Sequence, residues 1–163
     1  MPYPANKEGQ IEPPDTNILQ VSIYGREKIH FRAPPSEKLR GELKDFIAWF
    51  NAEPNDNALI KAAIAHLWFV TLHPFEDGNG RIARCIADLM LARSDGQINR
   101  YYSMSRQIQS ERKQYYEILE TTQKGKLDVT PWLLWFLNCL DRAILRSDEV
   151  LINILNKILI FLM

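Results

Sequence analysis

Between Ala58 and Leu72 only Lys61, His66 and Thr71 interrupt an apolar run of fifteen residues. A run that long with no period-two alternation predicts a helix rather than a strand. A helix that is apolar all round belongs in the middle of a bundle. It should end at His73, because the residue before Pro74 is pushed out of the right-handed helical region. The rest of the chain has to cover this helix.

The covering elements are legible in the same way. Leu39, Leu43, Phe46, Ile47 and Phe50 recur at helical spacing and predict a helix over 36–52, with Ser36 as its cap and Pro54 as its stop. After Gly78-Asn79-Gly80, the positions Ile82, Cys85, Ile86, Leu89 and Met90 predict a helix that ends at Asp95-Gly96. Ser103 or Ser105 caps the next helix, expected to run unbroken to about Thr122 with Ile108, Tyr115, Ile118 and Leu119 inward. Thr130 as cap and Pro131 at the first helical position open the last helix, which carries Trp132, Leu133, Phe136, Leu137, Leu140 and Ile144 inward. Upstream, Pro2, Pro4, Pro13 and Pro14 make 1–18 an irregular arm. Leu19, Val21 and Ile23 alternate, as do Ile29 and Phe31, around the turn Tyr24-Gly25-Arg26-Glu27. This predicts a short β-hairpin at about 19–32. Two strands alone are marginal in water, so the hairpin must lean on the bundle or await a partner strand. The expected architecture is all-α, a helical bundle with one hairpin, with an apolar helical tail over 146–163. Leu155, Ile158 and Leu162 of that tail are a surface on which a second copy could dock as a homodimer.

Composition narrows the class of function. The 163 residues suffice for a real core, and 46% hydrophobic with 25% charged is the balance of an ordered domain. Cys85 and Cys139 cannot make a disulfide framework, so a reduced, cytoplasmic protein is expected. No signal pattern opens the chain, and no run of about 18 apolar residues predicts a membrane span. Twenty basic and twenty acidic residues cancel, which argues against bulk binding of nucleic acid or anionic membrane. The cancellation is not local: residues 81–113 hold seven basic side chains against three acidic. Two readings of that excess stand, ordinary surface variation or a cationic wall facing an anionic ligand.

The chemistry concentrates in His73-Pro74-Phe75-Glu76-Asp77-Gly78-Asn79-Gly80-Arg81-Ile82-Ala83-Arg84. A histidine ends the buried helix, and it is the group here that can take a proton near pH 7. The two glycines let backbone N–H groups approach a ligand closely. The next helix starts in the same turn, so its unpaired N–H groups and positive dipole end make an anion site suited to phosphate. Arg81 and Arg84, three apart, lie on one face of its first turn and could both hold phosphate oxygens. Asp77 beside phosphates is a natural ligand for Mg²⁺. Taken singly, each residue has an ordinary explanation: a satisfied helix-end histidine, a turn aspartate, solvated arginines. His66, seven residues before His73, reads as a buried hydrogen-bonded histidine ahead of a two-histidine metal site. Tyr101, Tyr102, Tyr115 and Tyr116 are candidates for either core or a nucleobase pocket.

This segment resembles the signature of Fic-domain proteins, His-x-Phe-x-Asp/Glu-Gly-Asn-Gly-Arg-x-x-Arg, and matches every fixed position. The likeness covers roughly residues 19–145, and residues 28–35 and 101–119 resemble its bacterial multi-domain branch. The resemblance implies a Fic-type bundle with a hairpin flap. It implies a protein adenylyltransferase that moves AMP from ATP to a Ser, Thr or Tyr hydroxyl of a target protein, and that can also remove AMP. By position, His73 would be the base and Asp77 the Mg²⁺ ligand. Gly78, Asn79 and Gly80 would form the phosphate-binding turn, with the Asn79 side chain at the phosphates. Arg81 and Arg84 would contact the β- and γ-phosphates, and Phe75 would be a core anchor. The flap residues Ile23, Tyr24, Ile29, His30 and Phe31 would hold the target segment. Gly80, where a kinase branch has lysine, implies nucleotidyl transfer. The family's inhibitory pattern, Ser/Thr-x-x-x-Glu-Gly/Asn, is absent. That implies an uninhibited core or a separate inhibitory chain. A non-catalytic core that binds nucleotide or a partner is the alternative reading.

Overall fold

The computed structural model describes residues 18–23, 26–52, 57–95 and 100–162, with the backbone alone for the two strands, Ser36 and Asp95. The arm over 1–17 and the flap residue Tyr24 lie outside the described residues. Two strands, β1 (Ile18–Ile23) and β2 (Arg26–Arg32), pair antiparallel. Their register runs from Ile18 opposite Arg32 to Ile23 opposite Arg26 and shifts between Leu19 and Gln20, so His30 has no opposite residue. Such an extra residue is a β-bulge, which simple alternation does not foresee. β2 runs beside α5 (Arg112–Lys124), so the hairpin leans on the bundle.

The bundle is built on α2 (Ala58–Leu72), whose residues 61–63, 65–67, 69, 70 and 72 are buried. α3 (Asn79–Asp95) makes the most extensive helix contact with it. The buried face of α3 is Ala83, Ala87, Met90 and Leu91, while Cys85 and Leu89 are exposed. This corrects the expected face. Fully buried alanines on both helices (Ala62, Ala63 and Ala65 on α2, Ala83 and Ala87 on α3) leave room for close packing of the backbones, which larger side chains would prevent.

α1 (Ser36–Asn51) covers α2 with Phe46, whose ring meets Trp68 edge-on at 5.5 Å and Phe69 at 5.8 Å. Ile47, expected inside, is half exposed. Ser36 is the first helical residue rather than the cap, a position held by Pro35 without a side-chain bond. The buried Lys61 is satisfied at the other end: its Nζ donates to the Ala52 carbonyl at 2.5 Å and lies over the Trp49 ring.

The single helix expected up to Thr122 is two, α4 (Met104–Ser110) and α5, broken at Glu111. Ser103 is the cap and accepts the Arg106 N–H at 3.2 Å. At the break, the Ser110 hydroxyl competes for the Gln107 carbonyl at 2.7 Å. The Glu111 carboxylate takes a two-pronged bond from Arg142 at 2.6 and 2.7 Å, which holds its pKa below the usual range. The Ser110 bond is local, but the Arg142 clasp is tertiary, so no local pattern announces it.

α6 runs unbroken from Thr130 to Leu162. Asp128, not Thr130, supplies the side-chain acceptor at its start, taking the Thr130 N–H at 2.9 Å. Trp132, Phe136, Cys139, Leu140 and Ala143 are buried, and Trp132 Nε1 donates to the Ala63 carbonyl at 2.8 Å. Beyond Val150 every described side chain is exposed, with Phe161 at 95%. No helix among the described residues is long and apolar enough to cross a membrane.

Candidate active site

The site is the corner where α2 ends and α3 begins. The α2 helix closes with the His73 N–H on the Phe69 carbonyl at 3.2 Å. Proline at 74 bars His73 from continuing the helix, and the chain escapes through the left-handed region, φ 50° and ψ 53°. His73 is the one non-glycine residue with positive φ among the described residues. Such a conformation costs about 1–2 kcal/mol and persists only where surrounding contacts hold it. The ring is half-buried, with Nδ1 enclosed and without a hydrogen bond. Burial lowers its pKa, with the Val70 backbone partly opposing. The imidazole is therefore neutral at pH 7, the state a proton acceptor needs.

The turn is closed by Asn79. This residue is 2% exposed, its Oδ1 accepts the Phe75 N–H at 2.9 Å, and its Nδ2 donates to the Phe75 carbonyl. The Asn79 side chain is thus spent on the backbone, and what it can offer a phosphate is its N–H. Phe75 is half exposed, which corrects its role as core anchor: its ring rests on Phe69 at 6.4 Å, and its backbone carries the turn. Gly78 has φ +87°, a conformation a side chain would strain, and its carbonyl takes the Ile82 N–H at 2.9 Å to start α3. The N–H groups of Asn79, Gly80 and Arg81 then open the helix with no carbonyl of an earlier turn to bond. An added Cβ at Gly80 would meet Arg84 Nη1 at 3.7 Å, an ordinary contact.

Asp77 is exposed, with Oδ1 on the Gly78 N–H at 2.6 Å and Oδ2 on Arg81 Nη2 at 2.9 Å. The Asp77 and Arg81 side chains are 91% and 71% exposed, so this pair is weak and readily exchanged. Among the described residues no group of three or more His, Cys, Asp or Glu could hold a metal. One carboxylate beside a helix N-terminus would suit Mg²⁺ only where phosphate oxygens completed its donor set.

Arg81 and Arg84 face an open cleft of about 740 Å³ between α3, α4 and α5. Its far wall carries Arg106 and Arg112, together with Ser103, Ser105, Gln109, Tyr115 and Tyr116, and no acidic side chain lines it. Four of the seven basic residues over 81–113 thus line one cationic cleft, while Arg93, Arg100 and Lys113 are engaged elsewhere. Arg106 and Arg112 were missed as individuals; the charge excess was the signal that contained them. Arg84 makes no hydrogen bond or close ion pair among the described residues; its charge reaches Asp88, where it opposes the rise in pKa caused by burial, and helps lower the pKa of His66. Tyr115 is buried and its hydroxyl lies 3.0 Å from His66 Nε2, whereas Tyr116 is 43% exposed. Tyr101 and Tyr102 line a neighbouring 220 Å³ cavity beside α6, which shares Ser103 and Arg106 with the cleft. Of the flap residues, Ile23, Ile29, His30 and Phe31 lie in the paired strands.

The comparisons with known proteins agree on one family. The Fic/DOC family profile matches residues 5–91, just over half of the chain. Protein adenylyltransferase Fic of Culex quinquefasciatus is 33% identical over 101 residues, 61% of this chain and 19% of that protein. Protein adenylyltransferase fic-1 of Caenorhabditis elegans is 43% identical over 60 residues, 36% and 12% of the two chains. The crystal structure of a Fic family protein from Desulfovibrio desulfuricans G20 superposes with a TM-score of 0.66 at 27% identity, covering 73% of this chain and 36% of that one. The chain therefore spans less than a fifth of the length of these two curated relatives. By sequence profile and by fold alike, the chain belongs to the Fic/DOC family.

Proposed function

We propose that this chain is a protein adenylyltransferase core, transferring AMP from ATP to a Ser, Thr or Tyr hydroxyl of a target protein. The observation that carries this reading is the corner itself: a neutral, half-buried histidine held at the end of α2, directly before a helix N-terminus flanked by Arg81 and Arg84. In this reading His73 takes the proton of the target hydroxyl. The freed oxygen bonds to the α-phosphorus as its bond to the bridging oxygen of the β-phosphate breaks, and pyrophosphate leaves. The N–H groups that open α3, with Arg81 and Arg84, meet the charge that builds on the phosphate oxygens. Mg²⁺, when bound with the nucleotide, would be held by Asp77 and would neutralise phosphate charge. The exposed face of Tyr116 suits the adenine ring. The edge of the hairpin suits a target segment added as a further strand, which would fix its hydroxyl relative to His73.

The test is incubation of the chain with Mg²⁺, α-labelled ATP and a cell lysate, alongside His73→Ala. The expected result is label on protein, lost in the variant and absent with γ-labelled ATP. A folded chain that binds ATP yet labels nothing in any lysate would favour the non-catalytic reading instead.

A further inference from the structure

The cleft carries more positive charge than a nucleotide needs. Arg81 and Arg84 come from the first two turns of α3, beside Asp77 and the helix N-terminus. A nucleoside triphosphate with Mg²⁺ bound keeps about two negative charges, which those two guanidinium groups balance. Arg106 on α4 and Arg112 at the start of α5 then remain on the opposite wall. Among the described residues neither is ion-paired; Arg112 only rests on the Tyr116 ring, 5.6 Å from its centroid. Two unpaired cations lining a cleft without a carboxylate call for a second anion.

The position of the hairpin says where that anion comes from. β2 runs beside α5, the helix whose first residue is Arg112. The hairpin to which a target segment would add therefore packs on the helix that carries Arg112. We propose that Arg106 and Arg112 recognise an acidic side chain close in sequence to the hydroxyl that is modified, so that the preferred targets are acidic segments. This inference rests on the adenylyltransferase reading and names its substrate class.

The experiment uses the full chain and degenerate peptides with a central Ser, Thr or Tyr, flanked by Asp/Glu, by Asn/Gln or by Lys. Binding is read by fluorescence anisotropy, and ATP affinity by calorimetry. The wild-type chain should bind the acidic set about tenfold more tightly than its amide counterpart, with the gap narrowing as salt is raised. Arg106→Gln/Arg112→Gln should erase the gap, and Arg106→Glu/Arg112→Glu should turn the preference toward the Lys set. ATP affinity should fall by less than about threefold in the Gln pair, whereas the Glu pair, which reverses two charges of the same cleft, weakens any anion there and is read for peptide preference alone. Both arginines are exposed, and unfolding curves would confirm that the variants fold. Equal binding of acidic and amide peptides by the wild-type chain would overturn the proposal. So would a larger loss of ATP affinity in the Gln pair with peptide preference unchanged, which would assign the two arginines to the nucleotide. An acidic preference that the variants abolish, without any transfer from α-labelled ATP, would support the acidic-segment site and count against the transferase reading instead.

Discussion

His66 lies inside α2 and His73, seven residues on, caps its end, and the fold treats the two in opposite ways. His66 is fully buried, boxed by the rings of Tyr115, Trp132 and Phe136, with Nε2 3.0 Å from the Tyr115 hydroxyl. Burial, with the charge of Arg84 behind it, drives its pKa down to about 3. It is a permanently neutral cross-tie between α2 and α5. His73 lies where the helix stops, half open to solvent, in a conformation the chain would not choose freely. Its pKa is also lowered by burial, but it keeps access to a proton. The same side chain is a structural strut where neighbours surround it and a candidate base where the backbone runs out. Two turns of helix separate stability from chemistry.

The largest effect that could break this contrast is on rate. His73→Gly should cost about 10²–10⁴-fold in AMP transfer while leaving unfolding free energy within about 1 kcal/mol of wild type, because glycine accepts the positive φ. If transfer survived, the division of labour would be wrong. Next, His66→Ala should lower the unfolding free energy by about 3 kcal/mol in denaturant titration, from the cavity and the stranded Tyr115 hydroxyl. A loss below about 1 kcal/mol would mean that His66 is not a strut. Tyr115→Phe, which leaves His66 Nε2 unpaired, should cost about 1–2 kcal/mol.

The pH dependence sharpens the contrast further. The folded His66 pKa of about 3 lies below the ordinary 6.5. As pH falls below that ordinary value the unfolded chain takes up the proton first. Its contribution to stability is therefore fully present above about 6.5 and drains by about 1.4 kcal/mol per pH unit toward acid. His73, also shifted down, adds to stability loss in the same direction, and its protonation in acid should slow transfer as well. His66→Gln should flatten the stability profile without moving the rate profile; the reverse outcome would exchange the two roles. Smallest of all, Asp77→Ala should change stability by less than about 0.5 kcal/mol, because its pair with Arg81 is exposed. The same variant should raise the Mg²⁺ concentration needed for transfer, as read by metal titration.

Much of this molecule was legible before folding. The apolar run 58–72 is α2 to the residue, since periodicity and the His73-Pro74 stop are local effects. The signature turn was legible because glycines, a cap and two arginines act within six residues of one another. What escaped was decided between distant segments. The break at Glu111 depends on Arg142, thirty-one residues away, and the alanine face of α3 depends on the alanines of α2. Asn79, read as a phosphate ligand, spends its amide on Phe75, because closing a tight turn satisfies a buried side chain at once. The last turns of α6 are as apolar as α2 but exposed, since nothing among the described residues packs on them.

By itself the sequence determined α1, α2, α3 and the start of α6 as helices, and the corner at 73–84 with its chemical character, because these follow from short-range sterics, spacing and residue type. Only the tertiary structure decided which histidine is buried, that His73 sits at positive φ, and that Arg106 and Arg112 face Arg81 and Arg84 across one cleft. Burial and the meeting of charges depend on what lies opposite in space, and one-dimensional order does not specify that until the chain has packed.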